Sequence, residues 1–97
     1  MELTTRQRRH LRALGHHLVA TVRVGTAGPS EAVAEKTSTE LHAHELIKIK
    51  VGQGCAQSAK EVAALLAETT DSHLVQVLGR TVLLYRQHPE DPEIVLP

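Results

Sequence analysis

The sequence predicts an α/β domain with the element order α-β-α-β-α-β-β on a four-stranded mixed sheet. Three observations carry this. Two strand-like segments are each followed by a stretch of helical length, and crossovers of that length ordinarily join parallel strands with helices packed on the sheet. Leu46-Ile47-Lys48-Ile49-Lys50-Val51 alternates strictly, putting Ile47, Ile49 and Val51 on one face and Lys48 and Lys50 on the other. Finally, only Gly79-Arg80 separates the last two apolar runs, and Gly at the first central position of a two-residue loop favours a type II′ hairpin.

The elements follow in order. Thr4 or Thr5 caps a first helix that stops near Gly15. At 100° per residue, Leu3, Leu11 and Leu14 fall within an arc of about 80°, while Arg8, Arg9 and Arg12 fill a separate arc of about 100°. Such a helix buries leucines and presents arginines. Leu18 to Val24 reads as a strand ending at Gly25-Thr26-Ala27-Gly28. Pro29-Ser30-Glu31 opens a second helix, with Pro at or near the first turn, where a missing N–H costs little; Val33, Thr37 and Leu41 form its moderately apolar stripe. After the alternating strand, Gly52 to Gln57 is a loop. Ser58-Ala59-Lys60-Glu61 has the capping-box pattern, followed by Val62, Leu65 and Leu66 at helical spacing, with an end near Thr70. His73–Leu78 and Thr81–Arg86 are the hairpin strands, and residues 87–97 form an acidic, Pro-containing tail.

Composition excludes several classes of function. The chain has 97 residues, enough for one core, and 11 Lys+Arg balance 11 Asp+Glu. The single cysteine, Cys55, cannot support a disulfide framework and fits a reducing compartment. Neither a signal-peptide pattern nor a stretch of transmembrane length is visible, so the expectation is a cytoplasmic protein with no membrane partner. Tyr85 is the only Phe, Trp or Tyr, so base-stacking platforms of the RNA-recognition or OB type cannot be built. No two of the seven histidines have helical i, i+4 spacing with a third ligand, so no metal is expected. Nothing pairs Cys55 with a catalytic histidine, so it reads as an inert loop thiol in a protein that is not an enzyme and needs no cofactor.

What remains is cationic and backbone chemistry. Residues 1–28 carry Arg6, Arg8, Arg9, Arg12 and Arg23 against Glu2 alone, while residues 29–71 carry seven acids and four lysines. Basic residues gathered at one end suggest a local electrostatic footprint. Gly25-x-x-Gly28, at a strand end and before a helix, allows a phosphate backbone to approach without a Cβ in the way. An isolated motif of this length is also an ordinary strand-to-helix turn, and basic helix faces are often only solvated. Lys48 and Lys50 on one strand face fit either a solvated or a binding surface, whereas Arg80 reads as solvent-exposed.

Taken together, Leu3-Thr4-Thr5-Arg6-Gln7-Arg8-Arg9-His10-Leu11-Arg12-Ala13-Leu14, the Gly25–Gly28 loop, His44-Glu45-Leu46-Ile47-Lys48-Ile49-Lys50-Val51 and Val75-Gln76-Val77-Leu78-Gly79-Arg80-Thr81-Val82-Leu83-Leu84-Tyr85-Arg86 resemble the YhbY-like family of single CRM (chloroplast RNA splicing and ribosome maturation) domains. The resemblance spans residues 3–86. It implies a two-layer fold similar to the C-terminal domain of the third bacterial translation initiation factor. It also implies one RNA-binding domain over residues 1–97, a monomer that associates with large-subunit rRNA in precursor ribosomal particles. The expected RNA contacts are Gly25, Thr26, Ala27 and Gly28, with Arg6, Arg8, Arg9 and Arg12 beside them and Arg23, Lys48 and Lys50 as further candidates. Family loops often hold a Lys or Arg between the glycines and family members are usually basic. This chain has Thr26 and Ala27 and no net charge, which implies lower affinity and a shallower salt dependence. A protein-interaction module on the same fold is the alternative these departures suggest.

Overall fold

A computed structural model describes all 97 residues. Its elements are α1 (Thr5–Gly15), β1 (Ala20–Val24), α2 (Glu31–His44), β2 (Leu46–Val51), α3 (Ala59–Thr69), β3 (His73–Leu78) and β4 (Thr81–Tyr85). Local chemistry sets the boundaries. At α1 the Thr4 hydroxyl accepts the Gln7 backbone N–H while the Gln7 side chain accepts that of Thr4, both at 3.0 Å. Ser58 and Glu61 close the same reciprocal box at α3. The N-cap of α2 is Ser30, whose hydroxyl accepts the Val33 N–H, so Pro29 lies near the first turn, one residue before the cap. A cap needs a side-chain acceptor, which proline lacks. β1 begins at Ala20, later than expected, because the Leu18 N–H donates to the Gly15 carbonyl and completes the turn leaving α1.

The sheet order is β1-β2-β4-β3. β1 and β2 are parallel, and β4 is antiparallel to both β2 and β3. The crossover through α3 therefore does leave β2 and β3 pointing the same way, but the hairpin folds β4 back between them. Gly79 has φ +59° and Arg80 has no positive φ, as a type II′ turn requires of its central pair.

Alternation along the strands buries both faces. Val82 and Leu84 join Val22, Val24, Ile47, Ile49 and Val51 in a core under α2 and α3, sealed by Leu41, Val62 and Leu66. Leu83 and Tyr85 point the other way and join Leu46, Val75 and Leu11 of α1, with Ile94 and Leu96 of the tail packed alongside. The α/β class, element order and four-stranded mixed sheet are as expected, but the arrangement has three layers where two were expected. The apolar residues of β4 occur on both sides, and α1 with the tail covers the second side. Leu14 and Leu65, expected to be interior, are 41% and 46% exposed.

Candidate nucleic-acid interface

Parallel pairing of β1 and β2 brings their following loops, and the starts of α2 and α3, to one end of the sheet. The β3–β4 hairpin turn joins them there, because Lys50 of β2 pairs with Thr81. Within the first loop, the Gly28 N–H donates to the Gly25 carbonyl at 3.0 Å and the Ser30 N–H to the Gly28 carbonyl at 2.8 Å. Gly28 has φ +71°, and a Cβ there would lie 2.9 Å from the Gln57 side-chain oxygen; Gly25 is open, with nothing within 4 Å. Thr26 and Ala27 are exposed at the tip.

Arg23 and Lys50 are register partners across β1 and β2. Both are exposed on the face opposite α2 and α3, because their neighbours Val24 and Val51 are buried in that core. Lys48, half-buried on the same face, lines a shallow pocket with Gly15 and His16, where α1 ends. A cationic strip thus runs from the Gly25–Gly28 loop along the sheet toward α1.

The arginines of α1 are placed differently. The Arg8 guanidinium donates to the Leu74 carbonyl at the start of β3, and Gln7 donates to the Pro97 carbonyl. The N-terminal half of α1 therefore lies over the end of the sheet away from the loops. Arg6 and Arg9 are exposed and Arg12 is half-buried. Gly25–Gly28, Arg23, Lys50 and Lys48 are brought together, whereas Arg6, Arg8 and Arg9 are not beside them.

Two residues of the segments that carried the resemblance have scaffolding roles. Arg86 donates to the Thr70 carbonyl at 2.7 Å and the Ser38 carbonyl at 2.8 Å, tying the end of α3 to α2. Glu45, only 3% exposed, accepts the backbone N–H groups of His88, Glu93 and Ile94, each at 2.8 Å, and so pins the tail. Burial raises its carboxyl pKa, but those three bonds and the nearby His88 outweigh it and leave the group below the ordinary carboxylate value. Cys55 lies in its predicted loop, but its side chain is part of the core, with the thiol donating to the Gln57 oxygen at 3.4 Å. The periodicity of the sequence carries no signal for a buried loop residue.

No three His, Cys, Asp or Glu side chains converge on a metal-holding position. The His42 and His88 rings touch at a tilt of 46° with centroids 4.4 Å apart, and no helix is long and apolar enough to cross a membrane.

Comparison with known proteins agrees with this architecture. Residues 3–86 match the family described as the CRS1 / YhbY (CRM) domain. A Bacillus subtilis protein named "Probable RNA-binding protein YqeI" is 38% identical over 95 residues, covering 98% of this chain and 99% of its own length. A Haemophilus influenzae protein named "RNA-binding protein" is 34% identical over 95 residues, covering 98% and 95%. The solution structure of a hypothetical protein from Staphylococcus aureus superposes with a TM-score of 0.84 at 38% identity, covering 99% of this chain and 100% of that one. On this shared sequence and fold, the chain belongs to the CRS1 / YhbY (CRM) domain family.

Proposed function

We propose that this protein is a non-catalytic RNA-binding protein acting in assembly of the large ribosomal subunit, with precursor rRNA as its partner. The observation that carries the reading is the pairing of Arg23 with Lys50 on an exposed sheet face that leads into the Gly25–Gly28 turn. Backbone N–H groups and two cations at one turn suit a phosphodiester backbone, which needs neither an aromatic platform nor a metal. The names of relatives from two bacterial species support RNA as the ligand class. On this reading residues 1–97 work as one cytoplasmic, monomeric RNA-binding unit, with Arg9 and Arg12 as outlying phosphate contacts.

The test is affinity for large-subunit rRNA at fixed salt, with thermal melting as the folding control. Asp at both Thr26 and Ala27 should repel phosphate and weaken binding. Thr26→Lys should tighten it by about fivefold at roughly 0.1 M salt, since one phosphate contact contributes about 0.7 to the log–log salt slope. Co-sedimentation with precursor large subunits should follow the same order. Folded variants that bind like the parent would leave the loop as a plain turn. They would favour a protein partner, for which the apolar groove of about 470 Å³ along edge strand β1, lined by Leu14, Leu18 and Val19, is the available surface.

A further inference from the structure

The Gly25–Gly28 loop is one of three turns that touch. The loop after β2 packs against it directly. The Gly52 N–H donates to the Val24 carbonyl at 2.8 Å, and the Thr26 methyl lies 2.9 Å from where a Cβ on Gly54 would stand. Gln57 covers Gly28 from the same side. The hairpin turn closes the group, since the Arg80 guanidinium donates to the Gly52 carbonyl at 3.1 Å and the Val51 N–H to the Arg80 carbonyl at 2.8 Å. A side chain at Gly54 would press on Thr26, Gly28 is fixed by its positive φ, and Arg80 is held against the second loop through Gly52.

The chemistry of this surface is one-sided. Residues 25–30, 52–60 and 79–80 include no acid, in a chain where acids equal Lys+Arg. They include Lys60 and Arg80, both exposed, with the exposed amide of Gln53 at the loop tip. The nearest acids, Glu31 and Glu61, lie in the first turns of their helices, and the Glu61 carboxylate accepts the Ser58 N–H. Arg80 uses one nitrogen on Gly52, leaving most of its donor fork for another acceptor.

We propose that the Gly52–Gln57 loop, with Arg80 and Lys60, is the second wall of the RNA site, so that one strand's phosphodiester backbone is held between it and the Gly25–Gly28 loop. The proposal rests on the RNA reading above and extends it. A two-walled site also answers the uncharged tip at Thr26 and Ala27, because the charge missing from the first loop is supplied from the facing one. Contacts to phosphate and amide contacts from Gln53 make such a wall tolerant of sequence.

Fluorescence anisotropy with a labelled oligouridylate, titrated over a range of salt concentrations, tests it. Lys60→Gln and Arg80→Gln should each weaken binding by about fivefold near 0.1 M salt and lower the log–log salt slope by about 0.7. Gln53→Glu should weaken it without lowering the melting temperature. Ala27→Asp, at the exposed tip, reports on the first loop alone, because Thr26 packs against Gly54. If Ala27→Asp weakens binding while the Lys60, Gln53 and Arg80 variants match the parent, the second wall is overturned and the first loop stands. If only Arg80→Gln loses affinity and also melts lower, it has loosened the Gly52 loop, and the proposal is likewise overturned. A parent chain that binds neither the oligouridylate nor rRNA overturns the RNA reading itself.

Discussion

Gly25 and Gly28 look equivalent in the sequence, and the backbone separates them. Gly28 has φ +71° with Gln57 against it, whereas Gly25 has ordinary φ and open space. A side chain with φ in the left-handed region costs about 1–2 kcal/mol, so Gly28→Ala should lower stability by roughly that amount in a denaturant titration. Gly25→Ala should melt like the parent, and any loss of RNA affinity it causes then reports the close approach of phosphate to the loop. Equal stability of the two variants would mean that the turn is not held as described. Cys55 makes a related point about what a sequence conceals. A loop assignment suggests that Cys55→Ser is silent, yet the side chain is 8% exposed in the main core. A hydroxyl in that position needs a partner, and Gln57 is the one within reach.

At the scale of elements, the strands were legible because alternation and a two-residue turn are strong local signals, and capping chemistry placed the starts of α1 and α3. Lateral assembly was not legible. Nothing in the periodicity of β4 says that it inserts between β2 and β3, and the leucine face of α1 does not say which side of the sheet it covers. That placement decides what its arginines do. Arg8 is held by the Leu74 carbonyl, so Arg8→Gln should cost about 1 kcal/mol at this half-exposed position. A triple change of Arg8, Arg9 and Arg12 therefore mixes folding with binding. The double variant Arg9→Gln with Arg12→Gln should keep the parent's melting temperature and lower the salt slope of RNA binding by about 0.7 for each phosphate left without its arginine. A slope equal to the parent's would remove α1 from the interface and leave the loop end to act alone.

Over the whole molecule, zero net charge conceals a segregation that depends on where the tail is held. Arg23, Lys50, Lys60 and Arg80 cluster at the loop end, whereas Glu90, Asp91 and Glu93 lie beyond Arg86, near the C-terminus of α2. Glu45 keeps them there. Its backbone, at φ +66° and ψ −45°, occupies a region rare for a non-glycine residue, and its carbonyl accepts the Arg86 N–H while its carboxylate accepts three N–H groups of the tail. Replacing it with Gln turns one accepting oxygen into a donor facing the His88 N–H, and the expected loss is about 2 kcal/mol at neutral pH. The pH dependence has a definite sign. The folded pKa lies below the unfolded value near 4.5, so this stabilisation is complete above that value and is lost as pH falls through the folded pKa. His73 adds to the loss at higher pH. Burial, then the positive charges of the N-terminus and Arg8, lower its pKa below 6.5, so the unfolded state takes up its proton first and stability begins to fall below that pH. Melting curves of the parent should therefore decline in two stages on acidification, and Glu45→Gln should start lower and show a shallower second stage, the remainder coming from Glu61, whose bonds to Ser58 also lower its carboxyl pKa. His73→Gln should lack the first and keep the second. If Glu45→Gln instead declines in parallel with the parent below pH 4.5, the carboxylate is not what fastens the tail, and the separation of acidic tail from cationic loop end must have another cause.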